Sequence, residues 1–140
     1  MEALIGIVHL AVTVIVAAPW AVLAPLGVHA LHRGRAARAR ALARAVSTLA
    51  WLSLIPFLLG FVAAGVRGLP VATPWILWSI GGYAVAYLLS LFVLVPRLRR
   101  GAERLAEGAT DRVGIRLTGA VAGAVALLLV AVVVLVVRQP

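Results

Sequence analysis

Residues 117–137 read LTGAVAGAVALLLVAVVVLVV, a run without a single Asp, Glu, Lys or Arg. An α-helix rises ~1.5 Å per residue, so about 20 apolar residues cross the ~30 Å hydrocarbon core of a bilayer. Lipid offers no partners to unpaired backbone groups, and the strict alternation typical of a barrel strand is absent. The stretch therefore predicts a transmembrane α-helix.

Three further uncharged stretches, at 3–30, 45–66 and 74–95, have the same character. Together the four stretches predict an all-α integral membrane protein, a four-helix transmembrane bundle that forms a single domain over 1–140. The composition agrees, with 64% hydrophobic and 12% charged residues. A soluble fold of this length could not hide so much apolar surface.

The distribution of arginine predicts an orientation. The net charge of +9 comes from arginine alone, because the chain has no lysine. Most arginines lie in the two segments 31–44 and 96–116, and only Arg67 and Arg138 lie on the other side of the predicted spans. Positively charged loops stay inside. We therefore predict that both segments are cytoplasmic loops and that both termini face outward.

Arginines directly beside apolar spans are typical of contacts with anionic lipid headgroups, and nucleic acid is not expected as a partner. The residues to which we assign headgroup contact are Arg33, Arg35, Arg38, Arg40, Arg44, Arg97, Arg99 and Arg100. Within 96–116, the spacing of Arg99 and Glu103 favours a short surface helix with ion pairs along it.

Prolines predict irregularities in three spans. Pro19 and Pro25 in the first span and Pro56 in the second each remove one helix hydrogen bond, which favours a bend. Pro96 lies where the third span meets its arginines and predicts the end of that span.

Histidines are the candidate ligand residues. His9 lies about two turns into the first span, where an imidazole can ligate haem iron or a metal, or bond to a neighbouring helix. His29 and His32 lie at the other end of the same span, ~30 Å away along the helix. One haem cannot be held from both ends within one chain, and no metal site is predicted.

Polar residues on one face of the third span indicate either a polar seam along a narrow cavity or hydrogen bonds between helices. These residues are Ser79, Tyr83, Tyr87 and Ser90.

Small residues indicate where helices approach closely. Gly119 and Gly123 form a Gly-x-x-x-Gly pattern in the fourth span, and Gly81 and Gly82 in the third span are candidates to receive it. The partner helix belongs either to the same chain or to a second subunit.

Several short motifs resemble an uncharacterised bacterial family of small integral membrane proteins. They are His9, the stretch PWIL at 74–77, Tyr83, the stretch PRLRR at 96–100 and the closing VVRQP at 136–140. More distantly, the chain is similar to the copper-resistance-D-like superfamily, which includes the four-helix protoporphyrinogen oxidases. This resemblance implies a bacterial inner-membrane location, a four-helix fold and His9 as a haem b ligand. The intramembrane basic residue of the oxidase group has no counterpart here.

Three functions follow from these features. We expect a multi-pass membrane protein that acts through helix contacts with itself or with a membrane partner. The alternatives are a haem-binding redox protein that uses His9 and a pore or carrier for small solutes. A hydrolase is not expected, because no Ser-His-Asp or metal-carboxylate set can be assembled around Asp111, which is the only aspartate.

Overall fold

The computed structural model describes residues 1–109 and 111–138, apart from the side chain of Glu2. Within these residues the secondary structure consists of helices and turns, with no strand. The elements in chain order are α1 (Glu2–His32), α2 (Ala36–Leu52), α3 (Leu54–Val66), α4 (Pro74–Leu89), a π-helical turn (Ser90–Leu94), α5 (Val95–Ala106) and α6 (Arg112–Arg138).

These elements form four long rods, because α2 leads into α3 and because α4 continues through the π-helical turn into α5. The rods are long and apolar enough to cross a membrane, with mean hydropathy between 1.8 and 3.2 in their most apolar windows. Their bounds are Ala3–His32, Ala36–Val66, Pro74–Ala106 and Arg112–Arg138. The predicted all-α class is confirmed, and the four predicted stretches lie in helices of sufficient length and apolarity to span a membrane.

The helices extend further than the predicted spans at the end of the bundle that carries most arginines. Residues 36–44, which we expected in a loop, are helical. Residues 97–106, where we expected a short surface helix within a cytoplasmic loop, form a helix that is continuous with the third rod. Both extensions are amphipathic, and they bury Ala39 and Ala43 of α2 with Leu98 and Ala102 of α5. Burial of these apolar faces stabilises the helical extensions.

The predictions for the prolines of the three rods have different outcomes. The second rod is interrupted at Ser53, three residues before Pro56, and the predicted bend there stays a prediction. Pro96 does not end the third rod, which continues from the π-helical turn through Pro96 into α5. Helix α1 continues through both Pro19 and Pro25.

We call the end formed by α5 and the starts of α2 and α6 the arginine-rich end. Helices approach closely there, because alanine and glycine lie at the contacts. Ala39 and Ala43 are fully buried, and a Cβ on Gly27 of α1 would lie 3.0 Å from Leu98 Cδ1. Gly101 of α5 receives Leu31 of α1 in the same way. The arginine-rich half is therefore densely packed.

Toward the opposite, arginine-poor end the same helices separate. Helix α3 packs mainly against α1, and in the described part of the chain it makes far fewer contacts with α4 and α6. Aromatic rings stand between the helices, where Phe57 of α3 stacks on Tyr83 of α4 with 4.6 Å between ring centroids. This separation leaves room for a cavity.

Candidate functional site

We call the space between α1, α3, α4 and α6 in the arginine-poor half the aromatic cavity. Its volume is about 120 Å³, and its lining is mostly apolar. The rings in its wall are those of Trp20, Phe57, Phe61, Trp75 and Tyr83. The polar side chains in its wall are those of His9, Thr13, Ser53, Arg67 and Ser79. An apolar space with few polar groups is typical of a small-molecule site.

His9 reaches this wall from α1 and packs against α3. A Cβ on Gly60 would lie 3.0 Å from His9 Cε1 and 3.4 Å from Nε2, so the glycine makes room for the ring. The backbone of Pro56, one turn earlier on α3, lies beside the imidazole. Because proline has no N–H, its carbonyl is the backbone group that faces the ring.

One ring nitrogen of His9 has no partner. Nδ1 is buried and makes no hydrogen bond within the described residues. A neutral imidazole has one donor and one acceptor nitrogen, and either kind of atom needs a partner when it is buried. The wall of the aromatic cavity thus holds one unsatisfied polar atom.

Two hydrogen bonds join helices at the base of the cavity. Trp20 Nε1–H of α1 donates to Ser90 Oγ at 3.0 Å, and both side chains are fully buried. Tyr83 Oη lies 2.7 Å from Ser53 Oγ, between the second and third rods. Since the Ser53 hydroxyl donates to the Ala50 carbonyl, Tyr83 is the donor in this pair.

Of the four residues of the predicted polar face, two line the cavity and two form contacts between helices. Ser79 and Tyr83 line the cavity, and Ser79 also donates to the Trp75 carbonyl of its own helix at 2.8 Å. Ser90 bonds to Trp20 instead, and Tyr87 packs edge-on against Trp51 with 6.2 Å between centroids. Tyr87 and Ser90 are therefore helix-packing residues and not part of the wall.

Sequence reasoning missed the contribution of the second rod to the wall. Ser53, Phe57 and Gly60 lie at spacings of four and three residues, which places them on one helix face. In the sequence, this face can be recognised as an aromatic residue flanked at helical spacing by small or polar residues.

The glycines chosen from sequence meet different neighbours. A Cβ on Gly82 would lie 3.0 Å from Val132 Cγ2 of α6, whereas a Cβ on Gly119 would lie 3.5 Å from Val28 Cγ1 of α1. Cβ atoms on Gly81 and Gly123 would meet nothing within 4 Å. Gly119 therefore packs against α1, and the predicted docking of Gly119 and Gly123 onto Gly81 and Gly82 does not form.

The residues around His9 do not fit a haem group. The Cε1–Nε2 side of the ring is packed against α3, where no porphyrin can enter. The cavity is also close in size to an apolar cavity of ~150 Å³ that holds benzene. His29 and His32 are exposed at the arginine-rich end, and the described residues contain no group of three or more His, Cys, Asp or Glu that could hold a metal ion.

The arginines assigned to headgroup contact lie together at the arginine-rich end. Arg97 is half-buried and the other seven are exposed. The predicted ion pair between Arg99 and Glu103 is absent from the described residues, where the ion pair that forms joins Arg104 to Asp111 at 2.6 Å.

Comparison of the chain with protein-family models, curated proteins and solved structures returned no match. The resemblance to the bacterial family and to the oxidase superfamily stays a prediction from sequence.

Proposed function

We propose that this protein is a multi-pass protein of the bacterial cytoplasmic membrane that binds a small lipid-soluble molecule with a hydroxyl group in the aromatic cavity. The observation that carries the proposal is the buried, unpaired Nδ1 of His9 in the cavity wall. Buried polar atoms in proteins almost always have a hydrogen-bond partner. A ligand hydroxyl, which can either donate or accept, supplies the missing one.

Arginine placement supports an orientation with the arginine-rich end in the cytoplasm and both termini outside. The aromatic cavity then lies in the outer half of the membrane, beneath the short link between α3 and α4. A ligand reaches it from the outer leaflet or from the outer aqueous phase.

The shape and lining of the cavity favour a neutral ligand of single-ring size. A volume of about 120 Å³ suits one ring, and aromatic walls interact well with another aromatic face. A cationic ligand is disfavoured, because the described wall already carries the guanidinium group of Arg67 and contains no carboxylate. Phenols and compact alcohols combine these properties.

Tryptophan fluorescence tests the proposal directly, since Trp20 and Trp75 line the cavity. The protein in nanodiscs is titrated with 4-bromophenol, whose bromine quenches indole emission, and with bromobenzene, which lacks the hydroxyl. We expect saturable quenching by both and tighter binding of the phenol. In His9→Phe the Kd of the phenol rises about fivefold, the value of one hydrogen bond, while that of bromobenzene stays the same.

His32→Phe is the matched control, because His32 is exposed at the far end of the same helix. This variant keeps the phenol preference. Quenching that rises linearly without saturation, or a phenol preference that survives in His9→Phe, would count against the proposal.

The haem alternative has its own test. Protein purified from haem-replete cells is examined by visible absorbance beside His9→Ala, and we expect no band that depends on His9. A haem band in the parent that disappears in the variant would restore the redox function.

The other two functions have less support. Fully buried Trp20, Leu94 and Val125 fill the bundle between the cavity and the arginine-rich end, which disfavours a pore. Liposome flux of small solutes tests that point. Action through contacts with a second copy or a partner stays a prediction, and crosslinking that returns only monomer would reject the first form.

A further inference from the structure

A second cavity of about 350 Å³ lies at the arginine-rich end, between α5, the end of α1 and the start of α6. We call it the arginine pocket. Three arginines of α5 line it, namely Arg97, Arg100 and Arg104, and their spacing of three and four residues places them on one helix face. Asp111 is the one acidic residue in the lining, so the charge of the lining is +2.

Both carboxylate oxygens of Asp111 accept hydrogen bonds from neighbouring residues. Its Oδ1 accepts the N–H of Gly114 in the first turn of α6, and its Oδ2 accepts from Arg104 at 2.6 Å. Arg97 and Arg100 have neither an ion pair nor a hydrogen bond within the described residues. Two guanidinium groups with free donors therefore face one pocket.

Most of the remaining lining is apolar. Leu31, Leu105, Ile115 and Leu117 lie beside the arginines. The pocket also lies at the depth where the apolar spans begin, because 74–95 ends at the first residue of α5 and 117–137 starts at Leu117. The unpaired cations suit the headgroup of an anionic lipid. The apolar wall beneath them, at the boundary of the hydrocarbon, suits its acyl chain.

We infer that the arginine pocket binds an anionic phospholipid, with the phosphate on Arg97 and Arg100 and an acyl chain along the wall that includes Leu117. Guanidinium groups pair with phosphate through two parallel hydrogen bonds. An anionic lipid is favoured over a zwitterionic one, because the cationic group of the latter would lie beside a lining of charge +2. Free phosphate shares the headgroup chemistry but does not cover the apolar wall. The inference is independent of the ligand of the aromatic cavity.

Native mass spectrometry of the full chain in a non-ionic detergent tests it. The protein is titrated separately with dioleoyl phosphatidylglycerol, dioleoyl phosphatidylcholine and inorganic phosphate. We expect one phosphatidylglycerol to bind first and most tightly. In Arg97→Gln/Arg100→Gln its Kd rises about tenfold or more.

The control is Arg38→Gln/Arg40→Gln, which removes the same charge from exposed positions of α2 outside the pocket. There we expect a change below about twofold, because diffuse charge contributes little to one specific site. Circular dichroism without lipid establishes that each variant is folded, and Arg100→Gln alone, at an exposed position, serves if the pocket pair does not fold.

Two results would overturn the inference. Equal losses in the pocket pair and the α2 pair would reduce the effect to general surface charge. Binding of inorganic phosphate that is as tight as that of phosphatidylglycerol, and equally sensitive to Arg97 and Arg100, would assign the pocket to a small anion.

Discussion

The two halves of the bundle use the same four rods in different ways. In the arginine-rich half, alanine and glycine lie at the contacts and the helices touch along their backbones. In the arginine-poor half, aromatic rings hold the helices apart and a cavity forms. Lipid supplies no hydrophobic drive between helices, so close approach at small residues is what stabilises a transmembrane pair. Close packing in the arginine-rich half therefore stabilises the bundle, and the arginine-poor half contains the cavity.

The strongest test of this difference adds the same side chain to each half. Ala43→Leu in the dense half destabilises by about 3 kcal/mol, because Ala43 is fully buried and extra methylenes there force neighbouring helices apart. Ala63→Leu in the cavity wall changes stability by less than about 0.5 kcal/mol, because the added atoms enter open space. Unfolding by SDS, followed by circular dichroism, measures both. Similar losses in the two variants would show that the halves are packed alike.

The junction between the halves gives the next largest effect. Trp20→Phe destabilises by about 2 kcal/mol, because it leaves the buried Ser90 Oγ without its donor and reduces the volume that fills the centre. Trp51→Phe is the control, since Trp51 is 59% exposed. Thermal unfolding compares the stability of the two variants. An equal loss of stability would show that the bond from Trp20 to Ser90 does not stabilise the centre of the bundle.

Adjacent glycines on α4 sharpen the comparison at the level of one methyl group. Gly82→Ala meets Val132 and is less stable than Gly81→Ala, which meets open space, by about 1 kcal/mol. Helix propensity changes equally in both variants and cancels in the difference. The same SDS titration measures it, and a reversed order would mean that α4 presents a different face to α6.

The smallest effect belongs to the hydrogen bond across the open half. Tyr83→Phe removes the donor to Ser53 and costs about 0.6 kcal/mol, the usual value for such bonds in membranes. A double-mutant cycle with Ser53→Ala isolates this interaction. A coupling energy near zero would show that stacking of Phe57 on Tyr83 alone holds these helices.

Much of the fold could be predicted from sequence, because apolar length and charge are local properties. The bounds of the helices at the arginine-rich end could not. There α2 and α5 remain helical because Ala43 and Leu98 are buried in one cluster, and these residues are far apart in the chain. Prediction of spans from sequence considers the arginines of each segment separately. It cannot detect that two segments far apart in the chain pack together.

The site was predictable in part for the same reason. Ser79 and Tyr83 share a helix face, so their joint position on the cavity wall follows from helical periodicity. Their neighbours follow from packing between rods, since Ser53 lies 30 residues from Tyr83 and Trp20 lies 70 residues from Ser90. The poor fit of His9 to a haem group likewise depends on Gly60, which no local pattern connects to His9.

The π-helical turn at Ser90–Leu94 has a consequence for the helical phase of the third rod. Residues of an α-helix follow one another at ~100°, and on a regular helix the stripe of Ser79, Ala86 and Ser90 would continue through Arg97 and Arg104. One additional residue in a turn rotates everything after it by ~100°. Leu98 and Ala102 thereby take the buried positions, and the arginines move to the flank. A single-residue deletion at Phe92 would place Leu98 seven residues after Ser90 on a regular α-helix, so the π-helical turn could be lost while the same residues stay buried.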